Sequence, residues 1–535
     1  MGNEKSELES AKLVQALRDP RCYPHAVKNI RLIETHISYV LLTGEYAYKL
    51  KKPVNLGFLD FSTIAARRNA CDEEVRLNRR TAARIYLAVV PITGHADAPV
   101  IAGDGDPIDY AVKMREFPED SLMVDRLMHG VLTPADVDAL SAQLAIFHEE
   151  VARSTVGDRY GTPAGIRARV REAFDPAVST DPVWQERIDA LHEWVEREGA
   201  RMADVMARRK ADGFVRECHG DLHLANIAMI EGMPVPFDCI EFNADLRWGD
   251  VMGEVAFTFM DFLAHGRSDF GWRFLNGYLE QTGDYDGAVL LRIYAVYRAL
   301  VRSKVAGIRA HQSAIASPDR AQAMETSMRY RALALQLAES PTPVLALMRG
   351  LSGSGKSTVA SMAAESIGAI RVRSDVERKR LFDLAAAARS ASPLGTGLYG
   401  PDATRKTYAR LADVARTLLA AGLSVIVDAT SLACTDRAAF RAIAEATGAR
   451  FIILDCVAPV EVLRARIADR RQLGADASEA DDRVLEHQLL HADPLDANEA
   501  RSAIRIATDC AFRELEARCA LLPMQVRESG HHNAA

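Results

Sequence analysis

Two short stretches of this chain combine residue types whose spacing suits the handling of phosphate. The first, Gly350-Leu-Ser-Gly-Ser-Gly355-Lys356-Ser357, fits G-x-x-x-x-G-K-[ST]. Its glycines permit the backbone turns that aim several N–H groups at a phosphate. Gly350, Ser352, Gly353, Ser354, Gly355 and Thr358 would form that cradle. Lys356 supplies a point charge to the β and γ oxygens during transfer, and the Ser357 hydroxyl is placed to ligate Mg²⁺. The second stretch is His219-Gly220-Asp221-Leu-His-Leu-Ala-Asn226, followed by Phe237-Asp238. Phosphoryl transfer to a hydroxyl needs a carboxylate beside the acceptor, and an amide and a second carboxylate on the metal ions. The H-x-D-x-x-x-x-N spacing meets this, with Asp221 as base or acceptor-orienting residue, Asn226 and Asp238 as metal ligands, and His219 as a buttress.

Other polar residues fall where a phosphoryl-transfer site would use them. Beyond the glycine loop, an apolar run ends in Arg373-Ser-Asp375-Val-Glu-Arg378-Lys-Arg380. Ligands bind at the carboxyl ends of strands in open α/β sheets, so Asp375 is a candidate to orient or deprotonate an acceptor, and Arg378 to hold its anionic groups. Another run ends in Asp428-Ala-Thr430, making Asp428 the candidate for Mg²⁺ or its water shell.

The elements that must position these residues come in two rhythms. From the N-terminus a helix over 8–18 precedes two strands, RLIETHISYVLL and YAYKLKK, joined at Thr43-Gly44-Glu45. Residues 62–83 read as a helix capped by Ser62, and YLAVVPI and DYAVKMREF as strands separated by the turn AGDGDPID. Helical sequence then runs over 133–209, a hairpin carries the Asp221 and Asp238 motifs, and helices resume over 248–338. Ser340-Pro-Thr-Pro343 blocks helix continuation. Beyond it, PVLALMRG, AIRVRS, SVIVDAT, RFIILDCVA and SAIRIAT alternate with helical segments, the signature of a mostly parallel five-stranded sheet. The expected division is a domain over 1–338, a linker over 339–343, a second domain over 344–523 and a disordered tail over 524–535.

The H-G-D-L-H-x-x-N motif resembles that of the aminoglycoside phosphotransferase and choline-kinase branch of the protein-kinase-like fold. The resemblance spans roughly 25–330 and implies an α+β bilobal domain that transfers the ATP γ-phosphate to a small-molecule hydroxyl. It implies Lys49 as the phosphate-contacting lysine, with Lys51 competing, and Glu74 as its ion-pair partner, with Glu73 next. It makes Asp250 structural and DYAVKMREF the hinge against adenine. The sequence departs from the protein-kinase pattern at the phosphate loop, where Glu34-Thr-His-Ile-Ser38 stands in place of a glycine-rich turn. Residues 343–520 resemble the gluconate-kinase, zeta-toxin and polynucleotide-kinase group of P-loop kinases. That resemblance makes Arg466, Arg470 and Arg471 lid arginines over the transferring phosphate, although a solvated helix face explains any one of them equally well.

Composition sets the outer bounds. A 535-residue chain with 48% hydrophobic and 26% charged residues exceeds one ordinary core. A net charge of −7 provides no global attraction for nucleic acid or anionic membrane. The eight cysteines are scattered without a C-x-x-C pair, and Cys218, His219, His223 and Cys239 lack the spacing of a zinc framework. The reading is a cytoplasmic bifunctional kinase using ATP and Mg²⁺, with no membrane partner. One alternative makes the N-terminal domain a sensing module for a single P-loop kinase. Another makes the P-loop domain a nucleic-acid 5′-hydroxyl kinase, which the absence of aromatic residues in its basic cluster disfavours.

Overall fold

The computed structural model describes residues 2–528 apart from 56, 58, 175–181, 312–316, 340, 387, 389–396 and 474–479. Contacts divide the chain into two units, one formed by 1–171 and 199–258, the other by 172–198 and 259–535.

The first unit is built on a six-stranded antiparallel sheet of β1 (Arg31–Glu34), β2 (Ser38–Leu42), β3 (Tyr46–Lys51), β4 (Tyr86–His95), β5 (Ala98–Ile101) and β6 (Asp109–Arg115), in the order β1-β2-β3-β6-β4-β5. The first apolar run, read as one strand, is two: Thr35 and Ser38 close a turn between them, the Thr35 N–H donating to the Ser38 carbonyl at 2.9 Å. β5 falls before the Gly/Asp-rich turn and was not anticipated, because four residues carry no resolvable alternation.

Period-two alternation along β3 sends Tyr48 and Leu50 to one face and Ala47, Lys49 and Lys51 to the other. Tyr48 and Leu50 pack with Leu13 and Val14 of the N-terminal helix Gly2–Ala16 and with Leu17 just after it. Ala47 packs with Cys71 and Val75 of the helix Ile64–Ala82. Both lysines therefore face that helix. Its cap is Thr63 rather than Ser62, the Thr63 hydroxyl accepting from the Ala66 N–H at 3.1 Å. The rest of this unit includes a strand pair, β7 (Val215–Glu217) with β10 (Trp248–Asp250), and a hairpin of β8 (Ile227–Ile230) and β9 (Met233–Pro236).

In the second unit all five expected strands form: β11 (Val344–Arg349), β12 (Ala369–Arg373), β13 (Ser424–Asp428), β14 (Arg450–Val457) and β15 (Ala503–Ala507). Their order is β12-β13-β11-β14-β15 and every pairing is parallel. Such a sheet is buried on both faces, which is why its strands read as unbroken apolar runs. The helices Ser268–Thr282, Leu291–Ala310 and Ser317–Ala338 belong to the same unit as this sheet.

Part of the stretch expected as a disordered tail, 524–528, is ordered. Leu522–Glu528 is a helix that buries Leu522 and Val526 in the core under the sheet; residues 529–535 lie outside the described residues. Leu522→Ala is expected to cost about 2–4 kcal/mol. Urea unfolding monitored on the P-loop unit checks this, and an unchanged midpoint would place the terminal helix outside the cooperative core.

Candidate active sites

In the first unit, the helix Ile64–Ala82 brings Glu74 to the lysine face of β3. The Lys49 Nζ donates to Glu74 Oε1 at 2.8 Å and also pairs with Asp238. Lys51 pairs with Glu74 Oε2 and with Glu241. Glu74 is fully buried and its two oxygens divide two lysines between them. Burial alone would lower the Lys49 ammonium, but Asp238 and Glu74 hold it well above the usual lysine value. The two candidate lysines thus differ in surroundings. Lys51 is enclosed between two buried carboxylates, whereas Lys49 reaches Asp238, whose side chain is 41% exposed.

The hairpin of β8 and β9 carries the chain from Asn226 back to Asp238. Its two turn residues, Glu231 and Gly232, both have positive φ (52° and 77°), the turn that matches strand twist in a tight hairpin. Asp238 itself has φ 63°, an uncommon conformation outside glycine. It is imposed by neighbours: the Asp238 N–H donates to the Tyr86 hydroxyl at 3.1 Å, and the Cys239 N–H to Asn78 Oδ1 at 2.9 Å.

The Asp221 loop is fixed as closely. The Asn226 side-chain amide donates to the Asp221 carbonyl at 3.0 Å and its carboxylate at 3.2 Å, and His223 Nε2 lies 3.4 Å from that carboxylate. His219 Nε2 donates to the Phe237 carbonyl at 2.8 Å, tying the loop to the strand before Asp238. Burial lowers the His219 imidazole below its ordinary value, consistent with a neutral buttress. Gly220 has φ 89°, and a Cβ there would stand 3.0 Å from the Leu246 carbonyl oxygen, so the position requires glycine.

Sequence reasoning missed two supports of this site. Glu241 completes the lysine network. Glu254 accepts from the Gly220 N–H at 2.7 Å with one oxygen and contacts His148 Nε2 at 2.9 Å with the other. A lone carboxylate in the apolar run VMGEVAFTFM was the available signal. His148, Cys218 and Glu254 lie close enough to suggest metal ligands, but the Glu254 oxygens are both engaged as a brace for the loop. Asp250 pairs with Arg209 at 2.7 and 2.8 Å and bears no part of the catalytic loop. The Glu34–Ser38 turn is closed by Thr35 Oγ1, which accepts from the Ser38 N–H at 3.0 Å.

In the second unit, β11 runs into the glycine loop and the helix Lys356–Ile367 follows it. A Cβ at Gly350 would lie 2.5 Å from the Cys456 carbonyl oxygen, and one at Gly353 2.7 Å from that of Leu463. Glycine is thus demanded by close backbone approach as well as by positive φ. Burial pushes the Lys356 ammonium below its ordinary value, opposed by Asp428. Asp428, buried at the end of β13, accepts from the Ser357 hydroxyl at 3.3 Å through Oδ1. Its Oδ2 has no hydrogen-bond partner, as suits a ligand for a cation or its water.

Ser352, Gly353, Gly355, Lys356, Ser357, Thr358, Asp375, Arg378, Asp428, Arg466 and Arg470 line one cavity of about 640 Å³. Gly350 and Ser354 are not among its lining residues. Arg378 donates to the Leu398 carbonyl at 2.9 Å and to Thr404 Oγ1 at 3.2 Å. Arg466 is more tightly engaged than a lid arginine on a solvated face, donating to Thr508 O at 2.6 Å and reaching Gly353 O at 3.4 Å. The Arg471 side chain and 474–479 of the expected lid loop lie outside the described residues. Gln488, not anticipated, accepts from the Ser352 N–H at 2.8 Å.

The AAA_33 family, an AAA domain, matches residues 345–495. The uncharacterized proteins Rv2004c of Mycobacterium tuberculosis and Mb2027c of Mycobacterium bovis are each 32% identical over 474 residues, covering 86% of this chain and 91% of theirs. Among solved structures, the amicoumacin kinase hAmiN is similar over 62% of this chain and 95% of its own (TM-score 0.39, 12% identity). A gluconokinase from Sinorhizobium meliloti is similar over 36% of this chain and 99% of its own (TM-score 0.27, 19% identity). The expected fold classes stand in outline: an α+β unit with an antiparallel sheet is joined to an α/β unit whose parallel five-stranded sheet carries the glycine loop, and the AAA_33 match falls on that second unit.

Two expectations follow from the first unit. Lys51→Met leaves two buried carboxylates under-compensated and should cost ~3–5 kcal/mol, whereas Lys49→Met should weaken nucleotide binding more than stability. Urea unfolding beside a nucleotide titration separates the two, and equal effects on both readouts would erase the distinction. The second concerns acid. Burial would raise the Glu254 carboxyl, but His148 and the Gly220 amide hold it below its usual value. Above the usual carboxylate range its stabilisation is complete; it is lost as pH falls through the lower folded value. Glu254→Gln should therefore flatten the decline of Tm between about pH 5 and pH 3, and an unaltered slope would assign that decline to other carboxylates.

Proposed function

The chain belongs to the family of the mycobacterial protein Rv2004c, and from that premise we propose a bifunctional ATP-dependent phosphotransferase. The N-terminal domain, taken as 1–338, phosphorylates a small-molecule hydroxyl, and the P-loop domain, taken as 344–523, a second hydroxyl acceptor. One observation supports this reading: each unit gathers, from its own residues, side chains of the types that phosphoryl transfer uses. Lys49, Glu74, Asp221, Asn226 and Asp238 meet in one; Lys356, Ser357, Asp375 and Asp428 line one cavity in the other.

In the first site Asp221 takes or orients the acceptor hydroxyl's proton, with His223 against the same carboxylate. Lys49, charged through its two carboxylates, holds phosphate oxygens, and Glu74 keeps that ammonium in place. Asn226 and Asp238 offer the oxygens that would hold Mg²⁺. In the second site the loop amides and Lys356 cradle the β and γ phosphates, with Arg466 holding the loop from behind and Arg470 at the cavity wall. Asp375 orients the acceptor, Arg378 receives its anionic part, and Ser357 and Asp428 would hold the metal. The metal, when bound, neutralises charge on the transferred group.

A second reading makes the first unit a sensing module. What favours it is the Glu34–Ser38 turn, where a closed Thr35–Ser38 hydrogen-bonded pair replaces a glycine loop over the phosphates. The enzyme is assigned to the cytoplasm, in keeping with eight cysteines that form no disulfide; no described helix is long and apolar enough to cross a membrane.

ATP consumption by wild type, Asp221→Ala and Lys356→Ala against sugars, aminoglycosides, nucleosides and 5′-hydroxyl oligonucleotides tests both readings. Each substitution should lower turnover of a different acceptor by about 100-fold or more. If only Lys356→Ala loses activity, the sensing module replaces the first kinase. A salt-sensitive response confined to oligonucleotides would make the second acceptor nucleic acid.

A further inference from the structure

β12 is an edge strand, and alternation places Arg371 and Arg373 on one side of it while Ile370 and Val372 are buried on the other. Both arginines meet the same carboxylate, Glu280 of the helix Ser268–Thr282. Arg371 Nη2 donates to Glu280 Oε2 and Arg373 Nη1 to Oε1, each at 2.7 Å. Burial alone would raise the Glu280 carboxyl, but Arg373 and Arg371 hold it below its ordinary value.

The helix that carries Glu280 is locked to the strand. The Asn276 side chain donates to the Ala369 carbonyl at 2.9 Å and accepts from the Arg371 N–H at 2.7 Å, pairing the open edge as a neighbouring strand would. Arg273 pairs with Glu365 of the P-loop helix at 2.9 Å, and Trp272 covers Gly368 at that helix's end. Arg380 Nη2 donates to the Glu280 carbonyl at 2.5 Å. On its other side Arg373 looks toward the phosphate site. Its Nε stands 3.8 Å from Asp428 Oδ2, too far for a hydrogen bond, and that oxygen has no hydrogen-bond partner.

We propose that Glu280 is a positioning residue for the metal–nucleotide site of the P-loop unit, restraining Arg373 so that Asp428 remains open to the cation it holds with Ser357. The inference rests on the P-loop reading above. Without the Glu280 charge Arg373 loses the carboxylate that draws its Nη1 away from Asp428, and a closure of about 1 Å makes a charge-assisted hydrogen bond to the oxygen a cation would use. A segment that the sequence assigns to the first kinase thereby tunes the second.

Nucleotide binding to the full chain, titrated with ATP in Mg²⁺ and in EDTA, tests this, with Lys356→Ala marking binding at the P-loop. Glu280→Gln should weaken the Mg²⁺-dependent binding about tenfold and leave metal-free binding within about twofold. Glu280→Asp, which keeps the charge, should stay near wild type. Adding Arg373→Ala to Glu280→Gln should restore the Mg²⁺ dependence, because the competing cation is gone. Equal losses with and without Mg²⁺, or no rescue by the double substitution, would overturn the role of Glu280 and leave the P-loop reading intact. Wild-type binding indifferent to both Mg²⁺ and Lys356→Ala would overturn both. Should Glu280→Gln fail to fold, Arg373→Ala alone decides: it should preserve or tighten Mg²⁺-dependent binding, and a loss there overturns the proposal.

Discussion

A fully buried carboxylate facing two lysines organises the first unit. Glu74 cannot be left unpaired in a core without a cost of several kcal/mol, so β3 must present Lys49 and Lys51 to one helix face, and that helix must lie across the sheet. The remaining positive charge must then be met elsewhere. Glu241 meets it for Lys51 and Asp238 for Lys49, and both come from the chain just after the β8–β9 hairpin. The position of Asp238, the carboxylate proposed to hold the metal, is therefore a consequence of charge balance in the core. The strained φ of Asp238 is maintained because Tyr86, Asn78 and Lys49 over-determine it.

The P-loop unit solves the opposite problem. Its site must hold donors without acceptors, because the acceptor is the ligand. Close approach of Gly350 and Gly353 to carbonyls of the neighbouring strand and helix locks the loop's path, the Gly350 and Ser354 amides donate to the Thr430 and Leu351 carbonyls, and Thr508 and Arg466 occupy two of its own carbonyls. Gln488 takes a further amide, that of Ser352, through a side chain that a phosphate could displace.

Much of this was legible in the residues. Five parallel strands were readable because double-sided burial writes continuous apolar runs, and the two motifs were readable because their spacing is fixed by backbone geometry. The split of β1 from β2, the short β5 and the Thr63 cap were not, since each depends on hydrogen bonds made by one or two residues. Lys49 could be named but not separated from Lys51 by sequence: both lie on the same face of β3, and only the positions of Asp238 and Glu241 distinguish them. Glu254 and Glu280 escaped notice because each acts on a motif from a distant helix, and a helix's register against its neighbours is a tertiary fact.

The pairing of Asn276 with the edge of β12 bears on how this protein can be dissected. Proline-rich 341–343 looks like the natural place to cut the gene in two. A fragment starting there would expose the Arg371 amide and the Ala369 carbonyl along a bare strand border, next to two arginines stripped of their counter-charge. Open borders of that kind recruit other chains. The more soluble minimal unit would begin before Phe259, carrying the helices that close the border, so the boundary useful to an engineer is not the one marked by the prolines.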